Sequence, residues 1–287
     1  MRKAVLLVLG CLLIFSCNRE KEDIIPGNEA PPDATVNDIV LESYINRSYI
    51  ILVGEKPNST DLAASMQTLR ANSVSQTDRE NFIEGVQQLP AYHQRLFDVG
   101  RGLYLNGADT TAINEEIFLF NLLLLDSQYV SIFPILEAEI DRMEAVLAIP
   151  DDLASGAINV IGMHKRLAYN RLYDQINMGT QNFVISVFQN FLNRYPTDSE
   201  REAAELMVDG FSSVVFLETG RNKSEFVDIF FQSRDYFEGQ VRQMFLQNLF
   251  REPMSQELES LTISFRGNED YEALQRVVLS MDEFVGI

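Results

Sequence analysis

The chain has 287 residues, with 42 acidic against 23 basic side chains and a formal net charge of −19. So negative a surface repels nucleic acid and anionic lipid and favours solubility. Two cysteines, two histidines and no tryptophan leave little material for thiolate, imidazole or indole chemistry, while 46% hydrophobic content suffices for one large core or two smaller ones.

Met1-Arg2-Lys3 supplies a positive start, Ala4 to Phe15 is almost wholly apolar, and Ser16-Cys17 closes the run with a small residue before cysteine. This is the pattern of a secretory signal, too short to remain as a spanning helix. Ile14-Phe15-Ser16-Cys17 resembles the lipobox of bacterial lipoproteins, although Phe15 is larger than that pattern prefers. Val8-Leu9-Gly10-Cys11 is a second, poorer match. The resemblance implies a signal peptide over 1–16 and acylation of Cys17, which anchors the chain at roughly 0.8 kcal/mol per buried methylene. Cleavage there removes Arg2 and Lys3 and takes the charge from −19 to −21. It also consumes both cysteines, so no disulfide is expected.

Asn18 to Asp23 is charged and resembles the surface-export signal of Bacteroidetes lipoproteins; a plain solvated tether is the alternative. Pro26, Pro31 and Pro32 extend the tether over 17–35. The resemblance places the chain at the outer membrane, on the cell surface or on the periplasmic face.

From residue 36 onward apolar residues recur at three- and four-residue intervals, which predicts an all-α fold of helical hairpins, as a repeat-like bundle or two packed subdomains. A first helical region spans 36–150. Thr77 with Glu80 has capping-box spacing. Gly100-Arg101-Gly102 begins like a dinucleotide loop, but Leu105 stands where the third glycine should be. Ile117 to Leu125 is a nine-residue apolar run, expected to be a helix buried on all sides. Pro134 should kink or break the helix that follows. Glu137, Asp141 and Glu144 share a helix face and are the best carboxylates for glycoside hydrolysis; an acidic solvated face is the plainer reading.

Ile149-Pro150-Asp151-Asp152 marks a boundary, and a second helical region spans 151–287. His93 and His164 are too few and too far apart for a metal site without carboxylates, and no cofactor is expected. Tyr169 and Tyr173, with Arg166 and Arg171 nearby, could line a binding pocket, with core packing as the default. Val214 to Leu217 is strand-like but is embedded in a helical pattern, so a helix is expected there, followed by Gly220 at a helix C′ position.

Three segments share a spacing. Tyr49, Phe188 and Phe245 each precede a proline (Pro57, Pro196, Pro253) by eight residues, and Asp61, Glu200 and Glu257 follow it by four. Arg194 and Arg251 stand two before their prolines; Glu55 replaces arginine in the first copy. The aromatic should be buried, proline should end one helix, and the acid should sit in the first turn of the next. Arg194 and Arg251 could clamp an anionic ligand or pair with Glu200 and Glu257. The pattern resembles helical repeats of extracellular bacterial proteins related to phycobilisome-linker domains and to planctomycete surface proteins. That resemblance implies packing or assembly, with no catalytic residues to carry over.

The expected role is therefore a non-enzymatic, membrane-anchored lipoprotein that binds or scaffolds a protein at the cell envelope. A nutrient-binding lipoprotein beside an outer-membrane transporter, for glycan or peptide, is the alternative. A carboxylate hydrolase is a third.

Overall fold

A computed structural model describes residues 36–71 and 73–287; Cys17, the signal segment and the tether lie outside the described residues. Sixteen α-helices and one short hairpin make up these residues, so the fold is all-α. In chain order α1 is Asp38–Val53, α2 Ser59–Ala71, α3 Gln76–Gln87, α4 Ala91–Tyr104 and α5 Thr110–Leu123. A 3-10 turn, Ser127–Ile132, leads to α6 at Phe133–Leu147, α7 at Ile149–Ala154, α8 at Val160–Ala168 and α9 at Arg171–Ile176. Then come α10 at Thr180–Leu192 and α11 at Asp198–Val208, followed by β1 at Ser213–Val215 and β2 at Glu218–Gly220. Finally α12 is Lys223–Gln232, α13 Arg234–Leu249, α14 Ser255–Asn268, α15 Tyr271–Leu279 and α16 Asp282–Val285.

Two apolar clusters hold these elements. The larger draws on both sides of Pro150, from Phe97 and Met143 to Phe191, Phe231 and Phe265. Its aromatic rings meet edge to face, as at Phe188–Phe230 (5.3 Å) and Phe191–Phe231 (4.9 Å), the arrangement that ring quadrupoles favour. Gly239 lets α13 cross α10 at backbone contact: a Cβ there would lie 2.6 Å from the Phe191 carbonyl oxygen. The smaller cluster packs Tyr44, Leu52 and Ile83 of α1 and α3 against Leu279, Phe284 and Val285. Arg79, itself buried, reaches Asp282 at 2.7 Å, and Arg47 donates to the Phe284 and Val285 carbonyls.

The three repeat segments are helix hairpins. In each, the residue three before the proline takes the left-handed conformation that ends the helix: Gly54, Asn193 and Phe250. Glycine and asparagine tolerate it readily, whereas Phe250 is a strained occupant. Tyr49, Phe188 and Phe245 are buried. Asp61, Glu200 and Glu257 stand in the first turn of α2, α11 and α14, and Thr197 with Glu200 forms a complete capping box.

Several local expectations are corrected. Residues 213–220 form an antiparallel β hairpin, with Val214 opposite Thr219. Its two turn residues, Phe216 and Leu217, both have positive φ (51° and 68°), the geometry of a tight type I′ turn normally filled by Asn-Gly. Phe216 is held there by stacking on Phe188 at 5.8 Å. Gly220 lies in β2, where a Cβ would meet the Met207 sulfur at 2.7 Å, and is not a helix terminator. The capping box of α3 is Ser75 with Asp78, two residues before the expected pair. Pro134 stands in the first turn of α6, where its missing N–H costs nothing, and it does not kink the helix.

Candidate interaction surface

Asp109 caps α5 by accepting from the Ala112 N–H at 2.9 Å, and Asp126 caps the 3-10 turn by accepting from Gln128 N–H. Between Leu123 and Ser127 the axis bends by 112° into the 3-10 turn and α6. The inner side of α5 is committed to the main core: Ile113 and Phe120 are buried, and Ile117, Leu123 and Leu124 are partly so. The outer side carries Phe118 (70% exposed), Leu119, Leu122 and Leu125 (83% exposed), followed by Val130 and Ile135. Positions 118 and 122 lie at i and i+4, one stripe along the helix, and Leu125 follows in the turn beyond its end. The expectation that Ile117 to Leu125 is buried on all sides is thus overturned, because the described residues cover only one side of this helix.

The surroundings are acidic. Residues 102–141 contain seven Asp and Glu and no Lys, Arg or His. Glu115 is exposed one turn before Leu119 on the outer side, and Asp126 is exposed directly after Leu125. Glu116 accepts a hydrogen bond from Gln175 of α9 at 3.2 Å. No single helix among the described residues is long and apolar enough to cross a membrane, though the bent pair of α5 with the 3-10 turn and α6 passes that test jointly.

The residues singled out in the sequence fall in three places. Arg166 and Tyr169 border a hollow of about 160 Å³ with Arg142, Lys165 and Asp228. The Tyr169 ring has the Arg142 guanidinium 4.7 Å from its centroid and the Lys223 ammonium at 5.6 Å. Each cation there is already answered: Arg142 by Glu139, Lys165 by Asp228, Arg166 by Asp152 and Lys223 by Asp174. The hollow is therefore close to neutral and offers little net attraction to an anion. Tyr173 lies apart from it, fully buried, with its hydroxyl accepting from Asn190 at 2.9 Å. Burial pushes its phenol pKa upward.

Arg194 and Arg251 occupy equivalent clamps. Arg194 lies 5.2 Å from the Phe188 ring centroid, binds Glu200 through two bonds of 2.7 and 2.9 Å, and reaches Asp235 at 2.6 Å. Arg251 lies 5.0 Å from the Phe245 centroid, binds Glu257 twice at 2.8 Å, and reaches Glu283 at 2.7 Å. Asp235 and Glu283 both lie in the first turn of a later helix, so each clamp ties a hairpin to a helix further along the chain. Burial disfavours the Glu200 carboxylate, but bonds from Arg194 and Thr197 outweigh it and hold its pKa below the usual range. Arg251 does the same for Glu257. Sequence spacing located these arginines, and Asp235 and Glu283 lie in the similar segments Ser233 to Phe237 and Ser280 to Phe284 that follow the second and third copies, but the spacing did not reveal that they meet.

Glu137, Asp141 and Glu144 are all exposed along α6. Gly100-Arg101-Gly102 is inside α4, with Arg101 donating to the Gly107 and Ala108 carbonyls, so it forms no phosphate loop. His164 is buried, 2.8 Å from the Tyr236 hydroxyl, and burial lowers its pKa to about 3, so it is neutral. His93 lies 3.7 Å from Glu272 on the rim of a crevice of about 650 Å³. Burial raises the Glu272 pKa against the opposing pull of His93. No group of three His, Cys, Asp or Glu among the described residues could hold a metal ion. No family model, curated protein or solved structure matches this chain.

Proposed function

We propose that this chain is a membrane-anchored, surface-exposed helical lipoprotein that binds or scaffolds another protein and carries out no catalysis of its own. The observation that supports this reading is the uncovered apolar stripe of α5. Contiguous apolar surface of this kind on a water-soluble face marks an interaction site, and a helix apolar on every side is stable only when every side is covered. The Arg166–Tyr169 hollow is small and charge-balanced, which gives less support to a nutrient-binding role. The solvent-facing row of Glu137, Asp141 and Glu144 has no opposing acid across a cleft, which gives little to a hydrolase.

The test places a photo-crosslinking amino acid at Leu122 in the full chain in intact cells, with Glu144 as a comparison position. A discrete protein adduct in the membrane fraction at position 122, absent at 144, is the expected result. Adducts only to lipid, or none, would refute a protein-binding role. Cys17→Ala should release the same chain from the membrane fraction, and a mature N-terminus without acyl mass on Cys17 ends the anchoring reading.

A further inference from the structure

We propose that α5 receives an amphipathic helix of a partner protein, one whose apolar stripe is rimmed by lysine and arginine. This deepens the protein-binding reading above and rests on it. Phe118 and Leu122 form a row along the last turns of α5, with Leu119 beside it, Leu125 exposed in the turn that follows, and Val130 and Ile135 beyond the bend. A convex helical row of large side chains at i and i+4 matches the ridge that a second helix packs against, side by side.

Charge selects among the occupants. The row begins at Glu115 and ends at Asp126, both exposed, and the segment from 102 to 141 holds seven acids and no base of its own, of which only Glu139 is ion-paired among the described residues, with Arg142. A second copy of this chain would bring the same acids to the same face, and like charges across an interface cost several kcal/mol in general. A bilayer is also a poor match: helices that lie in the lipid interface carry Lys and Arg on their polar side, and anionic headgroups repel acids. A helix with leucines along one stripe and cations along its edges satisfies both features at once. Its apolar stripe removes Phe118 and Leu122 from water, and its cations meet Glu115 and Asp126. Contacts of this kind draw their discrimination from the charges and their persistence from the apolar anchors.

The probe is a fluorescent peptide of about 18 residues with leucine at helical spacing and lysine elsewhere. Its twin carries glutamate in place of lysine. Anisotropy with the full-length chain should show binding of the lysine peptide and none of the glutamate twin. Phe118→Ser with Leu122→Ser should weaken binding at least about tenfold. Both side chains are exposed, so the fold does not depend on them. Glu115→Gln and Asp126→Asn together should weaken it several-fold and flatten its salt dependence. Leu217→Ser removes an exposed leucine of the β hairpin, outside α5, and should change nothing, which separates docking on α5 from general attraction of a cation to an acidic protein.

Equal binding of both peptides, lost in the Phe118/Leu122 variant, overturns the charge assignment and leaves α5 a protein-binding face. Lysine-peptide binding that survives the Phe118/Leu122 substitutions overturns the site. Binding of neither peptide, with sedimentation showing self-association through α5 or flotation showing capture by phosphatidylcholine vesicles, overturns the assigned partner. With a protein adduct at position 122 in cells, any of these results refutes the cationic helix alone; without that adduct, the broader function falls with it.

Discussion

His164 gives the fold a built-in sensitivity to mild acid. It lies among Tyr104, Phe191 and Tyr236, and burial lowers its pKa from the usual 6.5 to about 3. In the unfolded chain the imidazole takes a proton near pH 6.5; in the folded chain it stays neutral until near pH 3. The folded state is therefore at no disadvantage above pH 6.5, and loses stability as pH falls through the window between the two values. Each pH unit within that window is worth about 1.4 kcal/mol, so lowering pH from 6.5 to 5 should cost about 2 kcal/mol from this residue alone. His164→Gln keeps a polar atom for the Tyr236 hydroxyl and removes the titration. Urea denaturation between pH 7 and 5 should show the wild type weakening and the variant changing less by about that amount, whatever the variant's stability at pH 7. Parallel slopes for the two proteins would refute the assignment of a neutral, buried imidazole.

Phe188→Ala and Phe245→Ala each empty a fully buried ring site beneath an arginine clamp and should cost about 3–5 kcal/mol in chemical denaturation; unchanged midpoints would contradict the packing. Gly239→Ala pushes a methyl group against the backbone of α10 and should destabilise by about 1–3 kcal/mol, whereas Gly102→Ala, which meets nothing within 4 Å, should be neutral or mildly stabilising in the same melt. The triple substitution Glu137→Gln, Asp141→Asn, Glu144→Gln should leave the melting temperature within a few degrees, and glycan and peptide screens should detect no turnover in either protein. Turnover present in the parent and lost in the triple variant would overturn the non-catalytic reading.

The helical hairpins could be read from spacing because each has a local cause. Proline at 57, 196 and 253 stops a helix, and the acid four residues on suits the helix start that follows. Arg194 and Arg251 were legible for the same reason, since Glu200 and Glu257 are only six residues away. Their second acids were not, because nothing in a linear motif reports that α13 and α16 pass overhead. Val214 to Leu217 is strand-like in sequence but sits in a helical pattern, and Phe216 and Leu217 are the wrong residues for a tight turn; packing of Phe216 on Phe188 and Phe230 overrides local preference. The α5 segment was misread for a deeper reason. Apolar residues all round a helix state that every side is to be covered, but they do not say by what, and the described residues cover only one side.

The contacts of Arg47 and Arg79 set an order of events in folding. Each ties α1 or α3 to the segment around α16 across more than 200 residues of sequence. Closing so large a loop carries an entropic cost that local helix formation cannot offset. A ribosome making about 5–20 residues per second would therefore leave the apolar sides of α1 and α3 open for about 10–40 s. Throughout that interval the nascent chain needs a chaperone or the solubility conferred by its own charge. Lesions at Arg79 or Asp282 should accordingly lower yield and raise aggregation during synthesis out of proportion to any change in the melting of protein already folded.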